Sequence, residues 1–120
     1  MALLTLKFIS NPDNKEYSII EFDGELDKST IPNAELQIEN FLVKSTQRFV
    51  VFNLSALKYA NSEGVGFFVS THTKLTHNNK QLVLFGLIAN VADVFDAIGI
   101  GKLIPTFKNL DEVVSFVSKK

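Results

Sequence analysis

The chain has 120 residues, of which 46% are hydrophobic, so it is long enough for one domain with a buried core. Its 12 basic and 13 acidic residues give a formal net charge of −1, which lacks the basic excess typical of nucleic-acid-binding domains and of segments that bind anionic membranes. Because it has no cysteine and only two histidines, disulfides, thiolate nucleophiles and His-rich metal sites are excluded.

The N-terminal segment does not have the pattern of a targeting signal. Its apolar stretch is short, is interrupted by Lys7 and lacks a preceding basic region. No apolar run approaches the roughly 18 residues that a membrane-spanning helix needs. We therefore expect a cytoplasmic protein with no membrane partner, no nucleic-acid partner and no cofactor.

The first elements in chain order are a predicted pair of strands. Residues 4–8 alternate apolar and polar side chains, which is typical of a half-buried strand. The turn-forming residues 11–14 (NPDN) follow, and residues 17–22 form a second strand that can pair with the first as a hairpin. The segment 23–27 breaks the strand pattern, so we expect the second strand to end before it.

A helix and a central strand are predicted next. The helix extends from about Ser29 to Val43, with Ser29 or Thr30 as its N-cap and Pro32 in its first turn. Residues 48–54 are almost continuously apolar, which indicates a strand covered on both faces.

Three further helices alternate with two short strands in the second half of the chain. The predicted elements are a helix over 62–76, a strand over 81–85, a helix capped by Asn90 and ended by Gly99, a strand over 103–104, and a helix that begins at Asn109. The side chains predicted to face inward include Ile98, Leu110, Val113, Val114 and Val117. Strands that alternate with helices predict an α/β fold with a mostly parallel sheet, to which the N-terminal hairpin adds antiparallel pairing.

Ser62 is the residue best placed for a function. It lies between a buried strand and an amphipathic helix, where open α/β sheets form ligand sites. A helix N-terminus favours negative charge, so it would tolerate the about −1.5 to −2 charges of a phosphate on Ser62. Gly64 and Gly66 remove side-chain bulk and permit close packing or the approach of another backbone. The alternative is that Ser62 or Asn61 is simply the N-cap of the helix.

The sequence lacks the signatures of an enzyme or a metal site. Ala60 stands where the nucleophile elbow of a serine hydrolase has its first glycine, and His72 lies about 15 Å further along the predicted helix, too far to act as a base. Asp23, Glu25 and Asp27 alternate as metal ligands can, but no further ligand series follows, so we expect a solvated turn. We predict no catalytic residues and no bound metal.

Several segments, in this order, resemble the STAS domain, and within it the bacterial anti-sigma factor antagonists. They are 22–27 (FDGELD), 50–55 (VVFNLS), 59–66 (YANSEGVG) and 97–105 (AIGIGKLIP), and they resemble the family's G-E-L-D, D-L-S, D-S-S-G-L-G and T-G-L-x-x-L-F-P segments. The resemblance covers essentially the whole chain, 1–120. It implies a single α/β STAS domain with a mixed, mostly parallel sheet of four to five strands and about four helices.

The resemblance also implies a function and a site. It places the family's phosphorylated serine on Ser62 and its G-E-L-D aspartate on Asp27. The implied partner-binding residues are Asp27, Asn61, Ser62, Glu63, Gly64 and Gly66. Such a domain binds an anti-sigma factor or a related serine kinase and is released when the serine is phosphorylated, and a serine phosphatase would reverse the switch. We expect a regulatory protein without enzyme activity, as a monomer or a weak dimer.

Three residues depart from the family pattern. Asn53 and Asn61 stand where the family has aspartates, and Glu63 replaces a second serine, so the carboxylate beside Ser62 is relocated and kinase recognition can differ. An alternative function is therefore a STAS-like scaffold or interaction module in a signalling assembly that is not phosphorylated. A small-molecule-binding or catalytic domain is a third interpretation, but it would need convergent polar groups in a pocket, which the sequence does not indicate.

Overall fold

The computed structural model describes residues 2–10 and 16–119, so the turn predicted at 11–14 lies outside the described residues. Within this part of the chain, five strands form one sheet in the order β1-β2-β3-β4-β5. The strands are β1 (Leu4–Ser10), β2 (Tyr17–Leu26), β3 (Phe49–Ala60), β4 (Gln81–Phe85) and β5 (Thr106–Phe107), and the helices are α1 (Ile31–Lys44), α2 (Ser62–His77), α3 (Ala89–Ile98) and α4 (Leu110–Ser118), with a short 3₁₀ helix at Ile100–Lys102. β1 is antiparallel to β2 and the other neighbours are parallel, which confirms the predicted mixed α/β sheet.

The central strand β3 divides the core into two layers. Val50, Phe52 and Leu54 face the larger layer, which lies under α1, α2 and α3, whereas Phe49 and Val51 face the smaller layer under α4. All five side chains are completely buried, and burial of each contributes roughly 1.5–3 kcal/mol to folding. Helices therefore cover β3 on both faces, which confirms the prediction made from the continuous apolar run over 48–54.

β2 and β3 both continue further than predicted. The segment 23–27, expected to end β2, instead carries the strand to Leu26 through two register shifts, one between Glu21 and Asp23 and one between Gly24 and Glu25. Gly24 has φ +130°, and a Cβ there would collide with the backbone that precedes β1. An irregular strand loses the regular alternation of inward and outward side chains, so the sequence pattern did not indicate that β2 continues. Leu26 and Ala60 form the last pair in the β2–β3 register, so the chain leaves both strands at the same edge.

The start of α3 was predicted incorrectly. The helix begins at Ala89, and the Asn90 side chain donates a hydrogen bond to the carbonyl of Lys58 at 3.0 Å instead of capping the helix. The first turn of α3 also contains no acidic residue, contrary to expectation. Gly99 does end the helix, in the left-handed conformation at φ +83°, as predicted.

The strand predicted at 103–104 is wrong. The N–H of Ile104 donates to the carbonyl of Ile100 at 2.9 Å, so this segment forms a tight turn, and the strand pairing shifts to Thr106–Phe107 beside β4. Three side chains expected to be inward are partly exposed: Ile98 at 51%, Leu110 at 36% and Val114 at 37%. Val113 and Val117 are buried as predicted. Leu110 and Val114 stay partly exposed because the short helix α4 covers the sheet with only a narrow stripe of side chains. No helix in the described residues is long and apolar enough to cross a membrane.

Candidate functional site

The N-terminus of α2 presents Ser62 at the surface. Asn61 is the N-cap, and its Oδ1 accepts a hydrogen bond from the backbone N–H of Gly64 at 3.0 Å. Ser62 is therefore the first helical residue, and its exposed hydroxyl has no hydrogen-bond partner among the described residues. The N–H groups of Ser62 and Glu63 are among the first four of the helix, which lack partners within the helix itself. A free hydroxyl thus lies at the electropositive end of a 16-residue helix.

Asp27 lies directly after β2 in a fixed turn. Its Oδ1 accepts hydrogen bonds from the Ser29 backbone N–H at 2.8 Å and from the Ser29 hydroxyl at 2.6 Å. The hydroxyl bond first, and then the backbone bond, hold the pKa of Asp27 below its ordinary value. Thr30 accepts from the Asp27 N–H at 3.1 Å and donates to the carbonyl of Glu25 at 2.9 Å, so its hydroxyl secures the turn instead of capping α1. Asp27 is consequently an ionised carboxylate in a fixed position at neutral pH.

The buried residue Leu26 connects this turn to α2. Its carbonyl accepts a long hydrogen bond of 3.4 Å from the Asn61 N–H. A Cβ added to Gly64 would lie 2.9 Å from the Leu26 carbonyl oxygen and 3.2 Å from the Leu26 Cγ. Gly64 therefore lets α2 approach β2 closely, which brings the segments of Ser62 and Asp27 together at one edge of the sheet.

Three residues near Ser62 in the chain are exposed. Glu63 is the second residue of α2, where a carboxylate interacts favourably with the helix dipole. A Cβ at Gly66 would meet nothing within 4 Å, so packing does not require a glycine there. Tyr59 is 46% exposed at the end of β3. Sequence reasoning missed Tyr59 because this part of β3 was not predicted as a strand, and an exposed aromatic residue has no signal in the sequence.

Other residues that the sequence singles out do not join this site. Asn53 lies in β3, where its Oδ1 accepts from the Ser55 hydroxyl at 2.7 Å and its amide donates to Glu21 at 3.3 Å. His72 is half-buried on the C-terminal half of α2. Asp23 and Glu25 belong to no group of His, Asp and Glu able to hold a metal ion, within the part of the chain that the structure describes.

The STAS domain family model matches residues 9–113, which is most of the chain. The protein belongs to the STAS domain family. A curated relative, the anti-sigma-B factor antagonist of Staphylococcus epidermidis, is 32% identical to this STAS domain over 103 residues, which cover 83% of this chain and 89% of the relative.

Solved structures share the STAS fold. An anti-sigma factor antagonist from Mycobacterium paratuberculosis has 22% identity and a TM-score of 0.83 over 97% of this chain and 95% of its own. The anti-sigma factor antagonist SpoIIAA in its unphosphorylated form has 19% identity and a TM-score of 0.75 over 97% of this chain and 98% of its own. The Bacillus cell fate determinant SpoIIAA in the phosphorylated form also has 19% identity, with a TM-score of 0.66 over 96% and 99% of the two chains. The fold predicted from the resemblance is thereby confirmed.

The Ser62 edge of this STAS domain is more acidic than basic. The ends of β2 and β3 and the start of α2 carry Asp23, Glu25, Asp27 and Glu63 against Lys28 and Lys58. Since the whole chain has a net charge of only −1, this edge is locally richer in negative charge than the molecule as a whole. Any group added to Ser62 enters that local field.

Proposed function

We propose that this STAS domain is an anti-sigma factor antagonist, that it binds an anti-sigma factor or a related serine kinase, and that phosphorylation of Ser62 ends the binding. The observation that carries the proposal is the exposed Ser62 hydroxyl at the N-terminus of α2, next to the fixed Asp27 turn. The 32% identical antagonist from S. epidermidis supports the antagonist role. The phosphorylated form of SpoIIAA supports a phosphorylation switch on this fold.

The phosphorylation step needs chemistry from the kinase. The Ser62 Oγ attacks the γ-phosphorus of ATP, the Oγ–P bond forms, the bond from the γ-phosphorus to its bridging oxygen breaks, and ADP leaves. The hydroxyl proton passes to a base of the kinase, because the imidazole of His72 lies on the other half of α2. The STAS domain supplies an accessible nucleophile and takes no other part in the reaction.

The product is compatible with its position on the helix. Phosphate oxygens on Ser62 can accept from the first N–H groups of α2, and the helix dipole favours their charge. The domain can therefore hold the phosphate without refolding. Phosphorylation instead destabilises the complex with the partner. The about −1.5 to −2 charges of the phosphate lose their hydration in the interface, and they repel acidic groups of the partner. A penalty of about 1.4 kcal/mol already weakens binding tenfold.

Around Ser62, the proposed partner-binding residues have different roles. Asp27 offers a fixed carboxylate to a basic or N–H group of the partner. The exposed residues Glu63 and Gly66 offer direct contacts, and Tyr59 joins them as an aromatic contact of the kind that often dominates interface energy. Asn61 and Gly64 act mainly through the position that they give to α2.

Phosphate mapping tests the proposal. The chain is incubated with its cognate anti-sigma kinase and ATP, phosphate is located by mass spectrometry, and binding is measured by calorimetry before and after. We expect one phosphate on Ser62, none on Ser62→Ala, and binding weakened at least tenfold by Ser62→Asp. Ser70, exposed on the same helix, provides the matched controls Ser70→Ala and Ser70→Asp, which should behave as the wild type. Phosphate elsewhere, or unchanged binding of Ser62→Asp, would contradict the proposal.

The scaffold function is favoured by one feature, the neutral Asn61 and the exposed Glu63 that flank Ser62. A carboxylate next to the target hydroxyl can repel an incoming phosphoryl group. If the chain forms a large stable assembly on size-exclusion chromatography and takes up no phosphate, the scaffold function is supported and the phosphorylation switch is contradicted. We propose the cytoplasm as the site of action, with a serine phosphatase that resets Ser62.

A further inference from the structure

A cationic groove lies at the end of the sheet opposite Ser62. Arg48 and Lys80 immediately precede the parallel strands β3 and β4, whereas Ser62 follows the end of β3. The groove has a volume of about 430 Å³ and is lined by Arg48, His72, Thr76, Asn79, Lys80 and Gln81. None of these lining residues is acidic, so within the described residues no carboxylate neutralises the groove from its walls.

Arg48 supplies the exposed charge of the groove. Its guanidinium carbon lies 5.4 Å from the centroid of the Phe49 ring, which holds the group in a stacked position. Among the described residues, Arg48 has no ion pair, and its side chain donates no hydrogen bond. A planar guanidinium with free donors is suited to bidentate binding of a phosphate or a carboxylate.

His72 lines the groove from α2. Its Nδ1 is buried and has no hydrogen-bond partner in the described structure. Nδ1 is unpartnered whether or not it carries a proton, so Nε2 is the ring nitrogen left to bind a ligand. Because the His72 ring lines the groove, Nε2 can donate to a ligand bound there.

The C-terminus of α2 does not account for this cluster. Basic residues often lie near helix C-termini because they interact with the last carbonyls. Here the carbonyl of Leu75 already accepts from the N–H groups of Asn78 and Lys80, and the Asn78 side chain donates to the carbonyl of Lys74. Lys80 itself donates to the carbonyls of Ser45 at 3.2 Å and Gln47 at 2.6 Å, and because neither residue lines the groove, these bonds hold its charge beside the groove.

We propose that this groove binds the phosphate group of a small phosphorylated molecule. Arg48 would take two phosphate oxygens, and the His72 Nε2–H would donate to a third, whereas the Thr76 hydroxyl already donates to the carbonyl of His72 at 2.8 Å. Lys80 adds positive charge from beside the groove, where its ammonium group is held by the carbonyls of Ser45 and Gln47. The groove is much larger than a phosphate ion, which leaves room for the organic part of the ligand. The site lies at the other end of α2 from Ser62 and does not depend on the proposed antagonist function.

A nuclear magnetic resonance titration of the two histidine rings tests this site. The probes are inorganic phosphate and glycerol phosphate, added at constant pH and ionic strength with chloride as the reference anion. The ring C–H signals of His72 should shift saturably with both probes, and the ester should bind at least as tightly as the free ion. His77 is the internal control, because it is exposed on the same helix outside the groove, and its signals should move little.

Two matched variants distinguish the effect of the groove on phosphate affinity from the effect of the protein's overall charge. Arg48→Gln should weaken phosphate binding about tenfold, the loss expected for a charged hydrogen bond. Lys44→Gln removes the same charge from an exposed residue at the end of α1, outside the groove, and should change affinity less than about twofold. The proposal is overturned if the His72 signals do not saturate, if both variants lose affinity equally, or if the ester binds about tenfold more weakly than inorganic phosphate.

Discussion

The contact between Gly64 and Leu26 can be tested by adding one methyl group. A Cβ at position 64 would meet the Leu26 carbonyl oxygen at 2.9 Å and its Cγ at 3.2 Å. Leu26 is completely buried and its carbonyl belongs to the backbone, so α2 must move away from β2. Overpacking of this kind costs about 1–3 kcal/mol, whereas exchange of glycine for alanine in a helix gains about 1 kcal/mol. We expect Gly64→Ala to reduce the free energy of unfolding by about 1 kcal/mol.

Gly66→Ala is the matched control on the same helix. Because a Cβ there meets nothing within 4 Å, only the helix-propensity gain remains, and the variant should be about 0.5–1 kcal/mol more stable than the wild type. Urea denaturation followed by far-ultraviolet circular dichroism measures both variants, since the chain has no tryptophan for fluorescence. A Gly64→Ala variant as stable as Gly66→Ala would refute the close approach of α2 to β2.

Three further changes test the cap, the turn and the exposed aromatic residue. Asn61→Ala should lower the free energy of unfolding by about 1 kcal/mol in urea, whereas Asn61→Asp should keep most of it, because aspartate also caps helices. The pKa of Asp27 is lowered on folding, so its contribution to stability is present above its ordinary value of 3.8 and is lost as the pH falls through the lower folded value. Asp27→Asn should therefore show a smaller loss of stability than the wild type in acid titrations followed by circular dichroism, and an equal loss would contradict the role of the Ser29 bonds. Tyr59→Ala should leave stability within about 0.5 kcal/mol yet weaken binding of the anti-sigma factor about tenfold or more by calorimetry. Unchanged affinity would exclude Tyr59 from the interface.

Elements with strong local signals were predictable from the sequence. Gly99 ends α3 in the left-handed conformation, and the Asn109 side chain caps α4 by accepting from the Glu112 N–H at 3.0 Å. These outcomes depend on a few neighbouring residues. Asn90 has the same side chain as Asn109 and could cap a helix in the same way. Its side-chain amide instead donates a hydrogen bond to the carbonyl of Lys58 in β3. Local patterns cannot reveal such a competing partner, because it is distant in the chain.

The sequence indicated where the candidate residues lie in the fold better than it indicated their detailed geometry. The family resemblance indicated Ser62 and Asp27, and the structure shows the segments that carry them at one edge of the sheet. It could not indicate that Asn61 is the cap, or that Gly64 packs on Leu26. Both features depend on how far the irregular strand β2 continues, and this is decided by tertiary contacts.

The length of α2 separates the two ends of the domain electrostatically. Sixteen residues at 1.5 Å each span about 24 Å, whereas the Debye length at physiological ionic strength is about 8 Å. His72, the nearest groove residue, lies about 15 Å along the helix from Ser62, so a charge on Ser62 is screened over roughly two decay lengths at the groove and roughly three at the end of the helix. An anion in the cationic groove and a phosphate on Ser62 should neither compete with nor assist each other, so the domain can carry two independent inputs.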